Sequence, residues 1–508
     1  MAPFFPFKKA KNKPNCRSTS ITGNLKKNLE ALKEIFSYPL NKDILIREIY
    51  IKAVNKKAAL IFIDGITDRK VIEEHIIKPL VMDYSYEPSD KSESIVKEIL
   101  QVQDLKACEN YSKAVKEALL GQTLLLVDGF NNIFSLNTTG YEHRSVEKPE
   151  SENSLKGPLE AFVESSQVNR SLIRRQLKSE KLISESIELN TTNSCDVSLM
   201  YMKNIADKDL VNRIQKRLKQ INSDNVQTIG ILEQHLEDRP YSLIPSTLFT
   251  ERPDRAVAFL QEGHVILLMD NSPYCLILPV TFWGLFHTAE DQYLRWAHGN
   301  FTRVIRMVAL FIALLTPGLY LALTNYHIEM IPTDLLLSMM ATREDVPFPA
   351  YFELILLEIS FELLREAGLR VPNPLGPTIG IVGAIILGQA AVEAGVISPI
   401  LVVIVAITGL SSFAIANINL NYAVRISRFA FMLAGLVAGL VGVALCFIIT
   451  LSYLSTAKSF GVPFLTPLSH DSFSKDYVIR VPIWKQWLRP SHISPNDSVR
   501  KKPPKKGA

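Results

Sequence analysis

Four stretches without a single charged residue lie in the second half of this chain, and they constrain its fold more than any other feature. Each is long enough to cross a bilayer, because a hydrocarbon core about 30 Å thick needs roughly 20 apolar residues of α-helix. We therefore predict an all-α, multi-pass membrane domain of about four to five spans in this part of the chain. The four stretches are 307–326, 371–392, 394–424 and 429–457.

The first 300 residues have a different character, because charged and apolar residues alternate as in a soluble protein. This length is sufficient for two subdomains with their own cores. The five cysteines are widely scattered, which predicts neither a CxxC metal site nor a disulfide framework and favours a reducing environment. The predicted fold class is an α/β soluble N-terminal region of two subdomains followed by the membrane domain. The predicted divisions are a basic flexible tail 1–40, soluble subdomains 41–145 and 146–300, the membrane domain 301–468 and a basic tail 469–508.

Seven basic residues precede the first acid, Glu30, and no apolar segment typical of a secretory signal follows them. Two interpretations stay open for this start: a solvated tail, or a segment attracted to anionic lipid headgroups. Nucleic-acid binding lacks support, because no aromatic interleaving or recognised module accompanies the charge. The C-terminal tail is basic as well, and four spans would place both tails on one side. By the positive-inside rule this side is the cytoplasm.

The sequence of the soluble region predicts a succession of strands and helices. Strands ending in Asp64-Gly65 and Asp128-Gly129 admit two interpretations, a ligand site beyond the strand ends or two ordinary turns. Later strand-like pieces separated by turn signals predict an antiparallel meander. The predicted strands are 58–64, 123–127, 197–202, 255–260, 264–270 and 274–278, and the predicted helices are 68–82, 113–120, 156–179, 207–221 and 289–302.

The sequence contains no GxGxxG, GxxxxGK[ST], HExxH or GxSxG motif. The sequence therefore gives no support for the best-known nucleotide-binding, zinc-protease and serine-hydrolase sites. We predict no catalytic, cofactor or metal site, and hence no enzyme.

One polar helix interrupts the apolar half. Between the first two stretches eight acids stand against three arginines, and within 351–367 the residues Glu358, Glu362 and Glu366 recur at every fourth position. Apolar residues follow another face of the same helix, whereas Glu353 is expected to lie off the carboxylate face. Two interpretations remain open: a helix lying on the bilayer surface, or one whose carboxylates line an aqueous cation path.

Small and amide side chains mark the last apolar stretches. Gly435, Gly439 and Gly442 recur along the last one, where small residues permit close helix contact. Asn417, Asn419 and Asn421 lie near the end of the third stretch. Two interpretations stay open for them: a polar helix terminus at the membrane interface, or a constriction of an ion path.

Several motifs resemble the A subunit of the GerA-type nutrient germinant receptors of spore-forming bacteria. The similarity covers about residues 40–468. In the membrane region it rests on Pro347-Phe348-Pro349, Glu362-Leu-Leu-Arg-Glu-Ala-Gly368, Ile381-Val-Gly-Ala, Gly388-Gln-Ala-Ala-Val392 and Ser459-Phe-Gly-Val-Pro463. In the soluble region it rests on Asp64-Gly65, Lys156-Gly-Pro158, Phe162-Val-Glu164, Asn169 and Leu172-Ile-Arg-Arg175.

The resemblance implies a receptor of the spore inner membrane that works with a transporter-like B subunit and a lipoprotein C subunit. It further implies that nutrient binding, chiefly on the B subunit, opens a cation path built by oligomerised A subunits. Glu358, Glu362 and Glu366 are then candidate ion-path residues. Pro347, Pro349 and the three glycines of the last stretch are candidate gating or packing residues. Two alternatives stay open, a non-conducting signalling scaffold and a transporter with discontinuous helices.

Overall fold

A computed structural model describes most of the chain, with gaps. The described residues are 21–82, 99–100, 105–140, 149, 152, 156–191, 195–344, 346–370, 388–466, 478–493 and 495–500. The tails 1–20 and 501–508 and most of the second apolar stretch, 371–387, lie outside them. The prediction of a lipid-attracted basic start, up to residue 20, and most of the predicted span at 371–392 therefore fall outside the description. Residues 21–40 are described, and the helix Leu25–Ile35 packs on the first sheet through Leu32, so this part of the predicted flexible tail 1–40 is folded instead.

A five-stranded antiparallel sheet with helices on both faces forms the first part of the soluble region. Its elements are α1 Leu25–Ile35, β1 Ile44–Ile51, β2 Lys56–Ile63, α2 Arg69–Val71 continued by the π-helical turns Ile72–Ile77 and by α3 Lys78–Val81, β3 Leu105–Cys108, α4 Tyr111–Leu119, β4 Thr123–Val127 and β5 Ile133–Leu136. The strand order is β1-β2-β4-β5-β3. Every residue of β4 is buried, because Leu32 of α1 covers one face of the sheet and Ile76 covers the other. The predicted strands and helices of this part are confirmed.

A six-stranded sheet forms the second part. Its elements are α5 Ser166–Gln176, β6 Leu182–Thr191, β7 Cys195–Met202, α6 Lys208–Gln220, β8 Asn222–Ser223, α7 Ile229–Leu236, β9 Leu248–Thr250, α8 Pro253–Glu262, β10 Val265–Met269 and β11 Cys275–Leu278. The order is β8-β6-β7-β10-β11-β9, and the β6–β8 pair is its parallel one. Helices α6 and α7 cover one face, while α5 and α8 cover the other.

Two predictions for this second part are wrong. The strand predicted at 255–260 is the helix α8: Pro253 occupies its first turn, and Gly263, with φ +112°, ends it in the left-handed conformation that favours glycine. The helix predicted at 156–179 is confined to α5, and the residues described ahead of it, 156–165, are not helical. The remaining strand pieces form the antiparallel β10–β11 hairpin as predicted.

The C-terminal half is helical. Its elements are α9 Phe282–Phe286, α10 Glu290–Tyr293, α11 Trp296–Tyr326, α12 Thr333–Arg343, α13 Ala350–Arg370, α14 Pro399–Phe413 and α15 Ile418–Thr456, followed by the short strands β12 Lys458–Ser459 and β13 Val462–Pro463. Among the described residues, α11 and α15 are the two helices long and apolar enough to cross a bilayer. The core between α5 and α8 continues into α11 and α15, so the soluble and helical parts share one apolar interior.

The third apolar stretch is not one helix. It is divided between α14, of 15 residues, and the start of α15. Asn417 makes the division, because its side chain accepts a hydrogen bond from the Leu420 amide at 2.9 Å and caps the new helix. Asn421 Nδ2 donates to the Ser412 carbonyl at 3.0 Å and ties the two helices together. These asparagines are therefore a helix-capping corner.

Helix α15 is bent sharply at Gly439, whose φ of +60° and ψ of −144° are not helical. A straight helix of 39 residues would be about 58 Å long. However, both ends lie against the second soluble sheet: Asn417 lines a cavity with Phe249, and the Tyr453 hydroxyl bonds with Ser242 Oγ at 2.8 Å. The two halves, 418–438 and 440–456, therefore form a helical hairpin. The last apolar stretch was predicted as a single span, and the bend overturns that prediction.

Candidate functional site

Helix α13 carries the carboxylates singled out from the sequence, and the structure confirms it as a helix. Its outward face is apolar, since Phe352, Leu356, Ile359 and Leu363 are exposed. Its carboxylates largely point into the protein instead of into solvent. This arrangement is typical of a helix surrounded by lipid or by other apolar helices rather than by water.

Glu358 and Glu362 form an ion-pair cluster with arginines of α15. Arg428 Nη2 lies 2.8 Å from Glu358 Oε2 and 2.9 Å from Glu362 Oε1. Arg425 forms a two-pronged pair with Glu362, with Nε 3.1 Å from Oε1. The side chains of Glu358 and Arg428 are 0% and 1% exposed, so this pair is desolvated, whereas Glu362 keeps 19% exposure.

Arg365 completes this cluster from α13 itself. Its Nη2 donates to Ser412 Oγ at 2.7 Å, and its guanidinium lies 4.6 Å from the centre of the Phe413 ring. Two carboxylates therefore face three guanidinium groups. We call Glu358, Glu362, Arg365, Arg425 and Arg428 the charge cluster.

The other acids of α13 lie elsewhere. Glu366 is exposed near the end of the helix, outside the charge cluster. Glu353 is fully buried, accepts the Ser398 amide at 2.9 Å and pairs with Arg343 at 3.3 Å. Glu353 therefore anchors the start of α14. The sequence placed it off the carboxylate face, where a substitution was expected to matter little, and its buried contacts do not fit that expectation.

Sequence reasoning missed two of the three arginines of the charge cluster as partners of these carboxylates. Arg425 and Arg428 follow Glu362 by 63 and 66 residues. They are, however, the charged residues that separate the third apolar stretch from the fourth. Charges that interrupt apolar segments are expensive in a membrane and require partners, and this was the available signal.

The candidate gating and packing residues fall into two groups. Pro349 starts α13, because its carbonyl accepts the Phe352 amide at 2.9 Å, and Pro347 is exposed just before it. Gly435 lies where α11 and α15 cross, so a side chain there would collide with the Gly318 carbonyl.

The remaining two glycines lie at and beside the bend of α15. Gly439 makes the bend, and the Tyr326 hydroxyl bonds the Leu436 carbonyl at 2.8 Å just before it. Gly442 lies inside the bend, where a side chain would collide with the Ala434 carbonyl. The hairpin therefore requires small residues at its tip, beside the end of α11.

Comparison with known proteins decides the family. The sequence model described as "Bacillus/Clostridium GerA spore germination protein" matches residues 30–492. The chain belongs to the GerA spore germination family. It is 38% identical to spore germination protein KA of Bacillus subtilis (strain 168) over 488 residues, which cover 95% of this chain and 89% of that protein. It is 33% identical to spore germination protein GerLA of Bacillus cereus, over 94% and 97% of the two chains.

A solved structure is also similar to part of this GerA-family chain. It is the crystal structure of the N-terminal domain of the A subunit of the Bacillus megaterium spore germinant receptor GerK3. The sequence identity is 30%, the match covers 52% of this chain and 98% of that one, and the TM-score is 0.41. Membership of a family of germinant receptor A subunits assigns the chain a role in spore germination.

Two family motifs of the soluble region, those that contain Asp64 and Arg174, lie where the two sheets join. Arg174, from the Leu-Ile-Arg-Arg motif, pairs through Nε with Asp43 at 2.6 Å and donates to Asn41 Oδ1 at 2.9 Å. Asn169 Nδ2 donates to the Val163 carbonyl at 2.6 Å and folds the Phe-Val-Glu loop onto α5. The contacts of Arg174 therefore hold one sheet against the other.

A second buried charge group joins the soluble region to α11. Asp291 is fully buried, with Arg303 Nε at 3.1 Å and Arg306 paired to its other oxygen. Burial acts to raise the pKa of Asp291, but the hydrogen bond and charge of Arg306, together with Arg303, outweigh it and hold this pKa below its usual value. The base of α11 is thus fixed to the soluble region by charge.

Glu233 of α7 has the opposite electrostatic environment. Burial raises its pKa to about 7, the nearby charge of Glu237 adds to the rise, and a hydrogen bond from Thr247 opposes it. Glu233 therefore titrates near neutral pH.

Proposed function

We propose that this chain is the A subunit of a nutrient germinant receptor in the spore inner membrane, and that several copies form a cation path. In this proposal it works with a transporter-like B subunit, which binds the nutrient, and a lipoprotein C subunit. The observation that carries the proposal is the charge cluster. Ionisable groups placed among apolar membrane helices are costly and mark ion pathways or proton relays by default.

The helix contacts support a multi-pass arrangement. α11 leaves the soluble region and ends at the tip of the α15 hairpin. α13 and α14 run side by side in the same direction. Both begin near the tip of the hairpin, where Leu354 and Leu401 share an apolar cluster with Tyr320. Both end near the soluble region, where Arg365 bonds with Ser412. With two passes for the hairpin and the span that the sequence predicts at 371–392, most of which lies outside the described residues, the proposed membrane domain 301–468 has six passes instead of the predicted four to five. Both termini then lie on the spore-core side.

The hairpin also accounts for Arg425 and Arg428. With a single last span, these residues would fall on the outer side, against the positive-inside rule. In the hairpin they belong to its first half and face the carboxylates of α13. Their positive charge is neutralised within the helix layer.

The balance of charge indicates a closed state. Two carboxylates held by three guanidinium groups have a net positive charge, which repels cations. A cation path through this layer therefore needs Arg425 and Arg428 to move away from Glu358 and Glu362. We propose that this separation is the gate.

Oligomerisation can be tested on the outward face of α13. Cysteines at Ile359 and Leu363, which are 47% and 65% exposed, should crosslink between copies in native membranes. A cysteine at Leu357, which is 6% exposed on the same helix, is the matched control and should not crosslink. A symmetric ring of identical contacts predicts a ladder of products. Monomer alone at the exposed positions would contradict the ring.

The role of the carboxylates can be tested in spores. Replacing Glu358, Glu362 and Glu366 together by Gln keeps side-chain size and removes the negative charge. We expect cation release after nutrient addition to fall at equal protein abundance. Glu329→Gln is the matched control, because this acid is exposed in the same part of the chain. Normal release from the triple variant would reject these residues as the ion path.

A second candidate function is transport, and the broken helix at Gly439 favours it. Transporters commonly place substrate sites at interrupted helices. A transporter would show saturable uptake of one solute by vesicles that contain the purified chain. A non-conducting scaffold would show neither uptake nor ion flux.

A further inference from the structure

A cluster of exposed apolar side chains surrounds the base of α11, on the side of the soluble region. Phe301, Ile483 and Trp484 are 62%, 60% and 65% exposed. They belong to two distant parts of the chain, the first turns of α11 and the segment 478–488. We call the cluster the collar; its apolar members are Trp296, Phe301, Ile479, Ile483 and Trp484.

Hydrogen bonds fix the two parts of the collar to each other. Trp296 Nε1 donates to the Arg480 carbonyl at 2.7 Å, and the Arg480 amide donates to Asn300 Oδ1 at 2.7 Å. The Arg480 guanidinium is buried and donates to the Asp291 carbonyl at 2.7 Å. The segment is therefore held beside the helix in a defined orientation, and its exposed apolar residues are part of a built surface.

We propose that the collar docks into the interface of the bilayer on the spore-core side and contacts anionic phospholipid headgroups. This inference rests on the membrane placement of the chain that is part of the proposed function. The apolar surface is continuous with the outer face of α11. Val304 and Val308, which follow Phe301 along this helix, are also exposed, and Val308 belongs to the first apolar stretch. A surface continuous with a spanning helix meets the lipid that surrounds the helix.

The residue types of the collar match this occupant. Tryptophan is enriched where hydrocarbon meets headgroups, because its ring is apolar and its N–H is polar. Arg295 and Lys485 are exposed beside Trp296 and Trp484. Each basic residue close to an anionic lipid surface adds attraction. An interfacial anchor typically presents apolar residues to the membrane and places basic residues beside them. The collar has this pattern.

The test uses the full chain reconstituted in vesicles of phosphatidylcholine and phosphatidylglycerol. Phospholipids brominated near the top of their acyl chains quench tryptophans that lie at the interface. We expect quenching in the parent protein, a partial loss of it in Trp484→Phe, and a loss of most of it when Trp296→Phe is added, because both tryptophans belong to the collar. Trp283→Phe is the control, because Trp283 is buried in the soluble region and should contribute no lipid quenching.

The other outcomes contradict the proposal in distinct ways. Quenching of Trp484 by aqueous acrylamide but not by bromolipid would place the collar in water. Protection from both would mean that protein covers it, in a second copy or a partner. Resistance of the chain to carbonate extraction, measured in parallel, separates a failed collar from a failure of the membrane placement. With Arg295→Gln and Lys485→Gln together, quenching should lose its dependence on the phosphatidylglycerol content; an unchanged dependence would reject the headgroup contact.

Discussion

Replacing Arg174 by Met tests the junction that joins the two sheets. The change leaves the Asp43 carboxylate, which is 2% exposed, without its 2.6 Å partner. Breaking one side of a buried ion pair typically costs about 3–5 kcal/mol. Arg170 lies 3.3 Å from the other oxygen of Asp43 and offsets part of the loss, so we expect the lower end, about 3 kcal/mol.

The assay is thiol labelling of buried cysteines in the full chain, resolved by peptide mass spectrometry. Cys108 in the first sheet and Cys275 in the second are both fully buried, so each reacts only when its own part opens. A loss of about 3 kcal/mol raises the open population about 100-fold. Because the junction holds both sheets, labelling of both cysteines should rise.

The control is Arg69→Met, which breaks a 2.7 Å pair with Asp64 where the arginine is 59% exposed. Exposed pairs contribute only about 0–1 kcal/mol. In combination with Asp43→Asn, Arg174→Met should cost less than the sum of the two single changes. If Arg174→Met labels no faster than Arg69→Met, the junction does not stabilise the soluble region and the reasoning fails.

Three further predictions concern the helix crossing, the bend and pH. Gly435→Ala should cost about 1–3 kcal/mol in a denaturant titration of the full chain, because the new methyl group meets backbone of Gly318, whereas Gly230→Ala, with open space around it, should cost nothing. Gly439→Ala places a methyl group on a residue with φ +60° and ψ −144°, a conformation that non-glycine residues rarely adopt, and should cost about 1–3 kcal/mol and change the hairpin geometry, as measured by the distance between spin labels on its halves. Glu233 has a raised pKa in the folded state, so its contribution to stability is present below about pH 4.5 and is lost as pH rises through about 7. Glu233→Gln should therefore stabilise the chain at pH 8 and not at pH 4, as measured by urea unfolding.

Local patterns predicted much of the secondary structure. The apolar run 123–127 and the periodicity of 351–367 specify a buried strand and a helix, because each pattern depends on neighbouring residues alone. The segment 255–260 was misread because one charged residue followed by five apolar residues fits a strand as well as a helix. The flanking Pro253 and Gly263 carried the deciding information.

The charge cluster could not be derived in this way. The spacing of Glu358 and Glu362 defines a face of α13, but only the fold shows that Arg428 of a distant helix meets this face. Likewise, the glycines of the last stretch predicted close packing, whereas the bend at Gly439 depends on contacts with Tyr326 at the end of α11. Long-range partners decide whether a carboxylate faces water or an arginine.

Potassium flux from vesicles that contain only the purified chain tests the central claim most directly. Arg425→Gln with Arg428→Gln should raise resting flux, because Glu358 and Glu362 lose the guanidinium groups that neutralise them. Replacing Glu358, Glu362 and Glu366 by Gln should abolish cation preference, while Glu329→Gln should leave it unchanged. Crosslinking at Ile359 measures assembly, so that variants are compared at equal oligomer content. No flux from any variant, or a cation preference that survives the triple Gln change, would contradict a carboxylate-lined path gated by the charge cluster.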